Sequence, residues 1–310
     1  MKLNFDSQLQ QHSRYYQEAV IMNKPKTKIR MALPKGRMME NILELMTDAG
    51  IKIRTSQRDY RPSASLENLE IKILKPQNIA EMLHAGSVDM GFTGDDWVRE
   101  LNFNVVEVLD TGFDKVDLVA AAPAALLKGD KLPRRKLVIA SEYERLSRAW
   151  IKKQGIDAAF VRSYGATEVF PPEDADLIID ITATGSTLKA NNLKIVDTIS
   201  CSSTRLYASR PAYGNAGKRE AIDALVMLFK SVFEARKRVI LEVNVSAERL
   251  KSVISILPCM REPTMAELYG GAGYALKVAV RREDLPVLIP KIKKHGGTDI
   301  IVTRLAHIVP

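Results

Sequence analysis

The feature that most narrows the fold is an alternation. Short apolar runs that read as strands lead into turns, and the turns lead into apolar residues at helical spacing. KIRMAL (28–33) runs directly into PKGR. Met39, Ile42, Leu43, Met46 and Ala49 then recur at helical spacing, and Gly50 ends that helix. LEIKIL (69–74) is a strand, and Pro76 opens a short helix that closes near Gly86. VDMGF (88–92) is a strand, TGDD leads to a helix through Leu101, and VVEVLD (105–110) is a further strand. VDLVAAAP (116–123) and KLVIA (136–140) open a second group. In SEYE, Ser141 and Glu144 match a capping box for a helix reaching Gln154. AAFVRS (158–163) is a strand, GATEV turns into a short helix, and ADLIIDI (175–181) reads as a buried strand. LKIVDTIS continues a strand-rich segment. The alternation predicts an α/β fold with a parallel, doubly wound sheet.

The end of the chain is organised differently. Lys218 to Arg238 is an amphipathic helix with Ile222, Leu225, Val226, Phe229 and Phe233 on one face. Beyond it come the strand VILEVNV (239–245) and a helix capped by Ser246 and reaching Leu257. TMAELY and YALKVAV follow as strands across Gly270-Gly271-Ala272-Gly273, then a helix from Glu283 to His295, then the strand DIIVTRLAHIV. The order βαββαβ is that of a ferredoxin-like sandwich, a unit often used to sense small molecules or to oligomerise.

A chain of 310 residues has material for two or three compact units. Its net charge of +9 favours anionic partners. The cations come in scattered groups, such as Arg134-Arg135-Lys136 and Arg236-Lys237-Arg238, with aromatics at only 6%. That pattern argues against a nucleic-acid stripe and for solvated faces. No run of apolar residues is long enough to span a membrane, and the N-terminus lacks the apolar core of a secretory signal. Cys201 and Cys259 make neither a disulfide framework nor a zinc spacing, so a reducing cytoplasm is the simplest address. His12, His84, His295 and His307 are far apart and read as surface or structural groups. Residues 1–27, polar and Gln-rich, read as a loosely docked extension.

Three glycine-bearing turns fall at the carboxyl ends of strands, the edge where open α/β sheets bind ligands. The third, Thr182 to Thr187, crowds Thr182, Thr184, Ser186 and Thr187 around Gly185. Gly185 permits positive φ and close backbone approach, the amides can converge on an anion, and the hydroxyls add short-range donors. Such a loop suits a phosphate monoester; a plain βα turn also favours these residue types. Asp180, just before it, is badly placed for phosphate and well placed to accept from sugar hydroxyls, so the pair suggests a phosphorylated sugar. In PKGR, Lys35 and Arg37 lie beside a helix N-terminus, where cations oppose the dipole, which fits a polyphosphate pocket or two solvated side chains. In TGDD, Asp95 or Asp96 serves a ligand or caps the helix. GxxxxGK[ST] and GxGxxG are both absent, so neither a P-loop nor a nicotinamide fingerprint is present.

Together these segments resemble the ATP phosphoribosyltransferase family. The resemblance lies in ALPKGRMMENILELMTDAGI, DMGFTGDDWVREL, IASEYERLSRAW, GATEVFPPEDADLIIDITATGSTLKANNL and SILPCMREPTMAELYGGAGYALKVAV, across most of residues 28–310. It implies the long form of the family: a two-lobed catalytic core like a periplasmic binding protein, with a C-terminal regulatory domain. The implied divisions are 28–115 with 205–238 for lobe I, 116–204 for lobe II and 239–310 for the regulatory domain. The implied reaction condenses ATP with phosphoribosyl pyrophosphate (PRPP), with Mg²⁺ carried by substrate phosphates. Dimers assembling to hexamers and feedback inhibition by histidine are also implied. By the same resemblance PRPP would contact Asp180, Ala183, Thr184, Gly185, Ser186, Thr187 and Leu188. ATP would contact Lys35, Gly36, Arg37, Asp95, Asp96 and Tyr143, and catalysis would draw on Asp180, Glu168 and Arg37. Histidine would meet Thr264 and Leu268. One stretch departs from the family pattern: Phe113 to Asp117 carries Asp114 and Asp117 where a glycine and a basic residue are common. A non-catalytic sensor using the same two-lobed cleft is the alternative reading.

Overall fold

The computed structural model describes residues 27–54, 60–129, 131–258 and 262–309; most of the amino-terminal extension, His12 and Cys259 lie outside them. The described residues group into two compact units. One holds those up to Met38 together with Arg54–Ile222; the other holds Met39–Ile53 with Asp223–Pro310.

The first unit carries a ten-stranded sheet. Its strands are β1 (Ile29–Pro34), β2 (Ile53–Arg54), β3 (Ser63–Ala64), β4 (Leu69–Leu74), β5 (Met90–Gly94), β6 (Val105–Pro123), β7 (Leu137–Ser141), β8 (Ala158–Arg162), β9 (Leu177–Thr182) and β10 (Leu193–Ser209). Their order is β2-β3-β4-β1-β5-β10-β6-β9-β7-β8. Of the helices, α1 (Met38–Asp48) falls almost wholly in the second unit. The first unit holds α2 (Pro76–His84), α3 (Asp95–Leu101), α4 (Glu144–Gln154), α5 (Ser186–Ala190) and α6 (Arg210–Gly214), and α7 (Ala216–Lys237) starts in the first and ends in the second.

The expected parallel sheet is only half right. β1 runs parallel to β4 and β5, and β7 runs parallel to β8 and β9. Between these halves β10 is antiparallel to both β5 and β6, and β6 is antiparallel to β9. VVEVLD and VDLVAAAP, expected as two strands, form one strand of 19 residues. The chain bends inside it rather than breaking. Gly112 and Asp114 take positive φ, Asp110 accepts from the Gly112 amide at 2.9 Å, and the Thr204 hydroxyl donates to Asp114 at 2.9 Å. The ladder survives because β10, 17 residues long, follows it through several register shifts.

Both faces of the β7–β9 half are covered, so its strands are apolar on both sides. Leu118, Ala120, Leu137, Ile139, Leu177 and Ile179 pack with Tyr143, Leu146 and Trp150, while Val119, Ala121, Ala140 and Ile178 pack with Leu188 and Leu193. In the other half Asp89 is buried and accepts from the Arg30 amide at 2.8 Å, the Arg30 guanidinium at 2.8 Å and Lys218 at 2.7 Å. Burial alone would raise this carboxyl, but hydrogen bonds from Arg30 and Lys218 outweigh it and hold its pKa below the usual range.

The second unit has a four-stranded sheet of β11 (Arg238–Val245), β12 (Thr264–Glu267), β13 (Tyr274–Arg281) and β14 (Thr298–Arg304), ordered β12-β13-β11-β14 and antiparallel throughout. With α8 (Leu250–Ile254) and α9 (Leu285–Lys294) it is the expected βαββαβ sandwich. Val239, Leu241, Val243 and Val245 alternate onto a core with Val253, Leu276, Val278, Leu288 and Ile292. Two helix expectations need correction. α8 is one short helix with no side-chain cap, so Ser246 does not start it, and α9 begins at Leu285 after a 3₁₀ turn.

Asp89→Asn should remove the buried carboxylate that Arg30 and Lys218 share. A loss of about 3 kcal/mol is expected at neutral pH, measurable as a lower denaturant midpoint at unchanged m-value.

Candidate active site

Two of the three glycine turns come to one place. β9 ends at Thr182, and Gly185 then takes φ +74 before the short helix α5, as the hydroxyl loop predicted. A Cβ built on Gly185 meets nothing within 4 Å, so conformation rather than space demands glycine there. Within the loop, Thr182 Oγ1 accepts from the Gly185 amide at 3.0 Å and the Thr184 hydroxyl donates to Ser186 at 3.0 Å. The first backbone bond of α5 runs from the Lys189 amide to the Gly185 carbonyl. The amides of Ser186, Thr187 and Leu188 therefore precede any intrahelical acceptor.

The loop walls a cavity of about 250 Å³, lined by Glu168, Asp180, Ile181, Thr182, Ala183, Thr184, Ser186, Thr187, Leu188 and, from the turn after β1, Arg37. One cation thus faces a loop of neutral donors, with two acids at its head. Asp180 is half-buried, and its Oδ1 accepts from the Ile181 amide at 2.7 Å. Burial, aided by the charges of Glu168 and Glu142, pushes the Asp180 pKa up to about 6. Thr167, itself hydrogen-bonded to Ser163 at 2.7 Å, supplies an opposing hydrogen bond to Asp180.

The remaining sequence candidates are placed differently. Lys35, Gly36 and Arg37 are all exposed, but only Arg37 lines this cavity; Lys35 lies over the Tyr60 ring, 5.4 Å from its centroid. Asp95 and Asp96 are buried in the first turn of α3, and neither caps it. Asp95 accepts from the Tyr207 hydroxyl at 2.9 Å. Asp96 accepts from Ser202 at 2.6 Å and from Tyr143 at 2.7 Å. Tyr143, expected at the nucleotide, is 1% exposed. Ser141 does not form the expected capping box: its hydroxyl donates to the Ile179 carbonyl at 2.5 Å and accepts from the Tyr143 amide at 2.9 Å. Thr264 lies on β12 and Leu268 at its end, where the Leu268 amide donates to the Gly273 carbonyl at 2.8 Å.

A second cavity of about 470 Å³ meets the first at Ala183. Asp110, Lys115, Val116, Asp117, Cys201, Ser202, Ser203 and Arg205 complete its wall. The departing stretch is therefore partly here: Asp117 lines this space, while Asp114 is bonded to Thr204. Arg205 is held by Glu107 at 2.7 Å and Asp110 at 3.3 Å. No local motif marks Arg205 or Ser203; both sit inside a strand pattern and reach the site only through the β10–β6 pairing.

An acid heads a loop of amides and hydroxyls, faced by an arginine across one small cavity, an arrangement with the chemistry to take a phosphorylated sugar. Comparison with known proteins narrows that reading. The family model "ATP phosphoribosyltransferase" (HisG) matches residues 75–231, and the model of the HisG C-terminal domain matches residues 235–307. An ATP phosphoribosyltransferase of Pelotomaculum thermopropionicum is 36% identical over 91% of this chain and all of its own length. One of Chlorobium phaeobacteroides is 34% identical over 91% of this chain and 97% of its own. Among solved structures, an ATP phosphoribosyl transferase (HisG:HisZ) complex from Thermotoga maritima matches with a TM-score of 0.58 and 25% identity, over 65% of this chain and 96% of that one. The chain belongs to the ATP phosphoribosyltransferase family, in the long form that carries the C-terminal domain. Its reaction condenses ATP with PRPP to N1-(5-phosphoribosyl)-ATP and pyrophosphate, the first step of histidine biosynthesis. That membership sets aside the non-catalytic sensor.

The raised Asp180 pKa makes a stability prediction. The folded state holds this proton more tightly than the unfolded chain, so stability falls as pH rises from about 4 to about 6 and stays lower above that. Asp180→Asn should therefore be more stable than the parent at pH 7.5, by about 1–3 kcal/mol, and equal to it near pH 3.5. Thermal melts across that range measure it.

Proposed function

We propose that PRPP occupies the Arg37-lined cavity, with its 5′-phosphate on the loop from Ala183 to Leu188 and Asp180 at the ribose. The observation that carries this reading is the shared wall: Arg37, from the far side of the sheet's centre, lines the same small space as the phosphate loop. Neutral donors suit a phosphate monoester that must also leave as product, and one arginine supplies the charge. ATP enters from the larger cavity that meets this one at Ala183, with Lys115 nearest its phosphates. Adenine N1 has a free lone pair and needs no strong base. It attacks the anomeric carbon as the bond to pyrophosphate breaks. The protein's share is positioning two polyanions and stabilising charge on the sugar and the leaving group. Asp180, ionised above about pH 6, faces positive charge developing on the sugar, and Glu168 holds the adenine amino group.

Mg²⁺ arrives on the substrates' phosphates in this reading. Such an ion takes most of its ligands from water and phosphate. Among the described residues no cluster of three His, Cys, Asp or Glu forms a cage for it, though Glu168 and Asp180 face the cavity it would enter. The enzyme is proposed to work in the cytoplasm as a dimer that assembles to a hexamer. Among the described residues no helix is long and apolar enough to cross a membrane. The core is proposed to divide into one lobe of residues 28–115 with 205–238 and another of residues 116–204. Histidine is proposed to inhibit from residues 239–310, at Thr264 and Leu268.

Gly185→Val should keep the fold, since its Cβ has open space, yet lose PRPP affinity by roughly 10²-fold, because a β-branched residue resists φ +74 and pulls the amides away. Calorimetric titration with PRPP decides it; retained affinity would refute the loop assignment. Replacing Thr264 and Leu268 together by alanine should weaken histidine inhibition about tenfold, roughly 1.4 kcal/mol, with turnover in its absence unchanged. A histidine titration of the initial rate checks this.

A further inference from the structure

Three buried side chains, Asp96 and Glu100 of α3 and Tyr143 just before α4, line neither cavity at the site, yet each bonds across the contact between these two helices. Glu100 of α3 is 6% exposed and sends both carboxylate oxygens to α4. Oε1 accepts from the Arg145 amide at 2.8 Å and Oε2 from the Leu146 amide at 2.9 Å. These are first-turn donors that α4 cannot satisfy itself, and a carboxylate suits that end of a helix. Arg145 answers by donating from Nε to the Glu100 carbonyl at 3.0 Å, and its guanidinium also reaches the Arg99 carbonyl. One residue before α4, Tyr143 donates to Asp96 at 2.7 Å and stacks on Trp97 with ring centroids 4.7 Å apart. Burial and the Asp96 charge keep the Tyr143 hydroxyl protonated, so it remains a donor.

The placement of this cluster matters. α3 follows β5, and α4 follows β7, so the two helices belong to opposite half-sheets separated by β10 and β6. The cavity is divided the same way. Arg37 follows β1, the neighbour of β5, while the phosphate loop follows β9, the neighbour of β7. The α3–α4 contact therefore ties together the two halves that must hold one sugar phosphate between them.

We propose that Glu100 is a positioning residue for the transfer: by capping α4 from α3, with the Tyr143–Asp96 bond beside it, it fixes the spacing between Arg37 and the phosphate loop. The substrate whose grip it sets is PRPP, so the proposal rests on the reading of the smaller cavity given above. Glu100 touches no substrate. Its loss acts through geometry, and misplacement of about 1 Å at a reacting centre is enough to cost two decades in rate.

The test compares Glu100→Gln and Tyr143→Phe with the parent enzyme at a temperature well below each variant's melting point. Glu100→Gln keeps the shape but turns an amide N–H toward one of the α4 donors. The expected result is a KM for PRPP raised about tenfold in Glu100→Gln and a smaller rise in Tyr143→Phe. The KM for ATP should change less than threefold in both, and tryptophan emission should shift as the Trp97 stack loosens. Glu100→Asp should recover part of the PRPP affinity. Unchanged PRPP kinetics in both variants, with only a lower melting temperature, would overturn the proposal. So would a rise confined to the KM for ATP, which would make Tyr143 a nucleotide contact. If Glu100→Gln does not fold, Tyr143→Phe and Glu100→Asp carry the same test. Failure of the cavity reading itself is seen separately, as retained PRPP binding in Gly185→Val.

Discussion

The catalytic unit depends on one pairing, the long antiparallel ladder between β10 and β6. Every other strand of the ten-stranded sheet lies to one side of that pair or the other. A two-stranded centre lets each half be an ordinary parallel αβ layer while the carboxyl ends of both halves open toward one site. It also has to bend, and the bend falls at Gly112–Asp114, where Asp110 and Thr204 satisfy the groups that the distorted ladder leaves over. The same strands line the larger cavity through Lys115, Asp117, Ser203 and Arg205, so the element that joins the halves also forms the wall between them.

The electrostatics of the smaller cavity follow from that geometry. Its wall offers mostly neutral dipoles, with Arg37 as the lining cation. Glu168 and Asp180 share that wall, and burial, aided by the Glu168 charge, raises the Asp180 pKa. The raised pKa is a stability cost accepted at a functional position, as buried like charges usually are. Elsewhere in the unit, buried acids are fully matched: Asp89 by Arg30 and Lys218, Asp96 by Ser202 and Tyr143, Glu100 by two amides. Asp180 also accepts hydrogen bonds, from the Ile181 amide and Thr167, but these do not offset its burial.

Much of this was legible in the chain. Strands β1, β4, β7, β8 and β9 fall within a residue or two of their apolar runs: β7 and β9 are apolar on both faces, while β4 alternates buried and exposed residues. The glycine turn after β9 was legible too, since only glycine adopts φ +74 cheaply and the hydroxyl crowding around it is local. What misled were motifs whose partners lie far away. Ser141 and Glu144 have capping-box spacing, yet the α4 amides are taken by Glu100, 45 residues upstream of Arg145. Asp95 and Asp96 look like caps or ligands, and both turn inward to hydroxyls of Tyr143, Ser202 and Tyr207.

The sequence by itself determined most of the elements, the βαββαβ order of the second unit, and a positive-φ glycine turn crowded with hydroxyls, because period, turn chemistry and backbone freedom are local properties. Only the tertiary structure decided that β6 is one continuous strand, that the centre of the sheet is antiparallel, and that Arg37 meets Asp180 across a cavity. The physical reason is range. Hydrogen bonds such as those of Glu100 with α4 or Asp96 with Tyr143 join residues more than forty positions apart, and no spacing rule along a chain can register them.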